Sequence, residues 1–154
     1  MKIAIIYDSK YGNTKQLAEF IADSIRSSGH EVRLYRTRRS KAKDLLAFEP
    51  EALLVGGPTH MGGPARALGK YLKKIGKKIK KRPSVEIKKT GIFNCYVENI
   101  VCDKIKDKIS DCFPDIKIYE KFLPIKVGGM KGPLLNNWKD QARFFIDGFL
   151  SFLV

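Results

Sequence analysis

At 154 residues with 44% hydrophobic content, the chain is long enough to bury a sizeable core, and we expect one domain over residues 1–154. The first strand starts at the N-terminus with no room for a leader. No apolar run reaches membrane-spanning length, and an odd count of three cysteines argues for free thiols, so the expectation is a cytoplasmic protein with no membrane span. The charge stands out: 30 Lys and Arg against 16 Asp and Glu give +14, a property that bears on partners rather than on fold.

Ile3, Ala4, Ile5 and Ile6 make an apolar run suited to a strand buried on both faces. A turn of small and polar residues follows at 9–13. From Thr14 the period becomes helical, with Leu17, Ile21 and Ile25 on one stripe. Strand, hydroxyl-rich turn and helix together hold an anion, because the turn's N–H groups and those of the helix's first turn converge. Ser9 and Thr14 add hydroxyls and Asn13 an amide, while Gly12 lets backbone approach closely. The lysine of a nucleoside-triphosphate loop and the glycine pattern of a dinucleotide site are both missing, so a single terminal phosphate monoester suits this turn.

Residues 31–35 alternate as a second strand, followed by a basic segment and a short helix near 44–47. Residues 52–56 read as a buried third strand running into Pro58, Thr59, His60, Met61 and Gly62. Pro64 then suits the first turn of a third helix, with Leu68, Tyr71, Leu72 and Ile75 inward and lysines outward. A fourth strand is expected at 85–93, a helix at 98–110 with Ile100 on its buried stripe, and a fifth strand at 116–123. A glycine-rich loop leads to a last helix bearing Trp138, Ala142, Phe145, Ile146 and Phe149 on one face. Five strands alternating with helices predict an α/β sandwich of three layers, a parallel sheet between helices on both faces.

The stretch 5–21 resembles the flavodoxin family: Ile5, Ile6, Tyr7, Ser9, Gly12, Thr14, Ala18 and Ile21 meet every fixed position of its signature. The resemblance implies the strand order 2-1-3-4-5, with ligands at the switch point between strands one and three. It implies FMN as cofactor, its phosphate held by Ser9, Lys10, Tyr11, Gly12, Asn13 and Thr14. Pro58, Thr59, His60, Met61 and Gly62 are similar to the loop that flanks the isoalloxazine ring. In a third loop Asn94, Cys95 and Tyr96 lie at the flavin rim, with Tyr96 as the stacking ring, although the family's glycines are missing there.

An electron carrier of this type needs no acid, base or nucleophile of its own, and neither a catalytic constellation nor a metal site is apparent. The alternative on the same fold is an FMN-dependent NAD(P)H:quinone-type oxidoreductase. A non-flavin basic binding module is the third reading, weakened by the lack of aromatics interleaved with the lysines, so nucleic acid is not expected as a partner. The expected partners are redox proteins with acidic docking surfaces, met by Arg36, Arg38 and Arg39, while the bases at 77–82 read as solvated surface. The apolar C-terminal residues leave monomer or dimer open.

Overall fold

The structure, a computed structural model, describes residues 1–154. Its elements in chain order are β1 (Lys2–Tyr7), α1 (Asn13–Ser27), β2 (Glu31–Arg36), α2 (Ala42–Phe48), β3 (Ala52–His60), β4 (Gly63–Pro64), α3 (Arg66–Ile79), β5 (Lys89–Tyr96), α4 (Cys102–Cys112), β6 (Lys117–Ile118), β7 (Leu123–Lys126) and α5 (Trp138–Leu153). The sheet runs β2-β1-β3-β5-β6 with parallel pairing throughout that path. In a five-strand count this is the expected 2-1-3-4-5 order.

Side chains of β1 and β3 alternate between two cores, as strand geometry requires. Ile3, Ile5, Ala52 and Leu54 join α1 and α5 on one face. Ala4, Ile6, Leu53 and Val55 join α2, α3 and α4 on the other. Both faces of the central strands are therefore dry, which explains their unbroken apolar runs. Gly56 on β3 leaves room for the ring of Phe93 on the neighbouring β5, which a Cβ there would overlap.

Several boundaries differ from the sequence expectation. The fifth strand is split: β6 pairs with the start of β5 and β7 with its end. Tyr119 still donates its N–H to the Thr90 carbonyl at 2.8 Å while its ring packs on Phe145, Phe149 and Phe152 at centroid distances of 5.7, 6.1 and 5.4 Å, and the chain leaves the ladder only after it. β5 begins at Lys89 rather than 85, because Val85 turns back with its N–H on the Arg82 carbonyl. Pro64 precedes α3 instead of opening it. It occupies the short strand β4, which folds antiparallel onto Thr59 and His60, an edge position where its missing N–H costs no ladder bond. α4 starts at Cys102, which leaves Ile100 in an exposed loop rather than on a buried stripe. The C-terminal apolar residues largely pack within the chain, with Phe152 over Tyr119 and Lys89 Nζ donating to the Phe152 carbonyl at 2.7 Å. Phe144 stays exposed.

Candidate functional site

At the carboxyl ends of β1, β3 and β5 lies a cavity of about 290 Å³. Its size is near the lower end for ligand clefts, roughly 300–1,000 Å³. Eleven of the fourteen residues singled out in the sequence line it: Ser9, Lys10, Tyr11, Asn13, Thr14, Pro58, Thr59, His60, Met61, Cys95 and Tyr96. Val97, Val127 and Met130 complete the wall, and no carboxylate is among the lining groups.

One end of the cavity is built by the turn into α1. Gly12 is the N-cap residue, held at φ 98° with no side-chain cap on the helix, a conformation that glycine adopts without steric penalty. Ser9 Oγ accepts the N–H groups of Gly12 and Lys15, both at 3.2 Å. With the Lys15 N–H taken by Ser9, the N–H groups of Asn13 and Thr14 are the ones the first turn leaves for an incoming anion. Thr14 is buried, and its hydroxyl has no hydrogen-bond partner. A buried hydroxyl without a partner costs free energy, so its presence here marks a place for a ligand acceptor or donor.

The turn is clamped from behind by groups for which the sequence implies no such role. Asp8 is buried, and its Oδ1 accepts from Thr37 Oγ1 at 2.9 Å and from Arg38 Nε at 3.1 Å. Arg36 is half-buried and donates through Nη2 to the Ser9 carbonyl. Arg36 and Arg38, expected to face a docking partner, also hold the loop, Arg38 with 60% of its side chain exposed, and of that trio Arg39 alone makes no side-chain bond. Spacing in the sequence gives no sign of this, because it depends on the β1–β2 register that sets Tyr7 opposite Arg36.

The second wall is the β3–β4 hairpin, with Met61 and Gly62 both at positive φ at its tip. Lys104 Nζ donates to the Gly62 carbonyl at 2.7 Å, tying α4 to the hairpin. Asn94 does not reach the cavity. It is a strut beneath it: Nδ2 reaches the carbonyls of Gly57 at 3.0 Å and Cys95 at 3.2 Å, and Oδ1 accepts the Val101 N–H at 3.0 Å. Gly12 and Gly62 likewise shape the walls without lining them.

A fourth loop, after β7, was missed as a site element. Asn13 Nδ2 donates to the Met130 carbonyl at 2.9 Å, bringing residues 128–133 over the α1 turn. Gly132 has φ 94°, and a Cβ on it would come within 2.7 Å of Asn13 Oδ1. The glycine density of 128–132 was the available signal. Tyr11, Met61, Val97 and Met130 are exposed around the mouth, giving it an apolar rim.

Burial disfavours the thiolate at two of the three cysteines. Burial pushes the Cys95 thiol up to about 11, with the Thr14 hydroxyl beside it pulling weakly the other way although it makes no bond of proper geometry. Burial, helped by Asp103, pushes Cys102 up to about 12. Both stay protonated near neutral pH, and the thiolate is the reactive form. No three His, Cys, Asp or Glu side chains cluster as a metal site.

A model of the flavodoxin domain family matches residues 4–92. A flavodoxin from Aquifex aeolicus is 44% identical over 62 residues, which cover 40% of this chain and 32% of that one. The coenzyme F420H2 oxidase of Methanothermobacter marburgensis is 33% identical over 75 residues, 46% of this chain and 18% of the oxidase. The matched segments thus span about a third or less of these curated relatives. Among solved structures, a flavodoxin from the domain Archaea superposes with a TM-score of 0.78 at 22% identity, covering all of both chains. The rubredoxin oxygen:oxidoreductase of Desulfovibrio gigas superposes at 0.76 and 21% identity, over 99% of this chain and 36% of the longer one.

Proposed function

Since this chain belongs to the flavodoxin domain family, whose members bind FMN, we propose that it is an electron carrier passing electrons between larger redox enzymes. The observation that carries this reading is the buried, unpartnered Thr14 hydroxyl at the start of α1, in a cavity without a carboxylate. These residues fit a phosphate monoester: the N–H groups of Asn13 and Thr14 and the hydroxyls of Ser9 and Thr14 can all donate to a dianion. Thr59, His60, Met61 and Tyr96 are the groups for the ring.

FMN supplies the redox chemistry when bound. What the chain adds is binding, orientation and access. The clamp by Arg36 and Arg38 fixes the phosphate turn, Asn94 fixes the two ring loops relative to each other, and the apolar rim of Tyr11, Met61 and Met130 offers a partner a surface beside the cofactor. Cys95 is the one cysteine lining the cavity, and burial keeps its thiol protonated, which removes it as a nucleophile.

Steady-state oxidation of NADPH with a quinone acceptor separates the two. The FMN-loaded protein alone should consume no NADPH, and adding an NADPH-dependent flavoprotein reductase should start turnover. Turnover by the protein alone would assign it to the NAD(P)H:quinone-type oxidoreductases.

A further inference from the structure

The positive charge is not spread evenly. α1, α2, α4 and α5 each carry as many acids as bases. α3 carries six bases and no acid, and Lys80, Lys81 and Arg82 follow it directly. Because Leu68, Tyr71, Leu72 and Ile75 take the inner side of α3, its bases share the outer side. At 1.5 Å per residue, the 14-residue helix holds a band of cations about 21 Å long.

Two shallow troughs extend that band. One of about 440 Å³ lies against α2 and includes Lys41, Lys43, Lys74 and Lys78. The other, about 610 Å³, lies against α4 and includes Arg66, Lys73, Lys77 and Lys108, with Asp111 its one acid. Lys108 reaches over α3 at Gly69, where a Cβ would meet its Nζ at 3.2 Å. None of these cations has a carboxylate within 4.0 Å, since all five ion pairs of the molecule lie elsewhere. Like charges at i, i+4 destabilise a helix, and favourable interaction with the helix dipole reaches only the last turn, at Lys77 and Lys78.

We propose that the outer face of α3 and its flanking troughs bind the phosphate backbone of double-stranded nucleic acid without reading its sequence. A continuous row of unpaired cations complements a continuous row of phosphates. The face shows no exposed aromatic ring, Tyr71 being buried, so it lacks a platform for the bases of a single strand. The exposed large hydrophobics, Tyr11, Met61, Val97, Ile100, Met130 and Phe144 among them, lie off α3. The face therefore has no apolar anchor for a lipid boundary and no aromatic centre for an acidic protein interface. The expectation against nucleic acid rested on missing aromatics, which weigh against single strands and not against duplex backbone. The C-terminal half of α3 points away from the cavity, so the cofactor site stays open in the complex, and the proposal holds whether or not the carrier reading does.

The test is fluorescence anisotropy of the FMN-loaded protein with a labelled mixed-sequence duplex of about 20 base pairs. With about four phosphates neutralised, affinity should fall about a hundredfold between about 50 and 200 mM salt. Changing Lys73, Lys74, Lys77 and Lys78 together to Glu, and in a second variant to Gln, should weaken binding at least about tenfold and flatten the salt slope. The control changes Lys117, Lys121, Lys139 and Arg143 to Glu, an equal charge change on other surfaces, and should retain most of the affinity. The flavin spectrum serves as the folding check, and the Gln variant keeps the test decisive if the Glu variant does not fold. Equal losses in the α3 and control variants would overturn the proposal in favour of net charge. Equal or tighter binding to single strands, or to phosphatidylserine vesicles, would overturn it as well.

Discussion

Thr14→Val separates the two roles of one hydroxyl. The side chain is buried and its Oγ1 has no partner in the protein, so valine, of the same shape, removes an unmet polar group. An unsatisfied buried group costs about 1–3 kcal/mol. The cofactor-free variant should therefore be more stable than the parent by about 1 kcal/mol, or ~2–4 °C in Tm for a chain of this size. Binding should change in the opposite direction. A hydrogen bond to a charged group is worth about 1.5–3 kcal/mol, so FMN affinity should fall about 10- to 150-fold. Riboflavin, which lacks the phosphate, should bind both proteins alike. Circular dichroism melts of the cofactor-free proteins and quenching of flavin fluorescence give all three numbers. Unchanged FMN affinity, or a variant less stable than the parent without cofactor, would refute the assignment of Thr14 to the phosphate.

Gly132→Ala forces a Cβ toward Asn13 at a positive φ, a strain of about 1–3 kcal/mol; FMN binding should weaken several-fold, and parental affinity would show that the 128–133 loop does not close on the phosphate turn. Asn94→Leu strands the Val101 N–H and the Gly57 carbonyl, so urea unfolding should report a loss of about 2–4 kcal/mol, and a loss under 1 kcal/mol would remove the strut. The Cys95 thiol is raised from 9.0 to about 11 by burial. The unfolded chain therefore gives up this proton first, and the contribution, fully present below about pH 9, is lost as pH rises toward about 11. By about pH 10.5 the loss should be about 2 kcal/mol. Cys95→Ala should lack that part of the decline, read as the difference between the two proteins because the lysines titrate in both. Parallel curves would contradict the burial argument.

The order of the sheet was legible because β1, β3 and α1 carry local pattern and burial that agree. The 9–14 turn was legible for the same reason: its strand, turn and helix are contiguous in sequence. What escaped was long-range. The roles of Arg36 and Arg38 depend on the register of β1 against β2, and that of Met130 on a contact 117 residues from Asn13. Asn94 is expected in a loop after a strand ending at 93, whereas β5 runs on to Tyr96 and keeps Asn94 in the ladder opposite Gly57. The split of the edge after Tyr119 leaves no mark in the pattern, because an aromatic residue suits both the strand it ends and the cluster with α5 that its ring joins.

Electron delivery is tested most directly by stopped-flow mixing of the photoreduced, FMN-loaded protein with an oxidised haem protein. The carrier reading predicts rapid second-order oxidation that needs no pyridine nucleotide, and Met130→Glu at the exposed rim should slow it in the fully FMN-loaded protein. A fully loaded, fully reduced protein that transfers no electrons to the haem protein would contradict it.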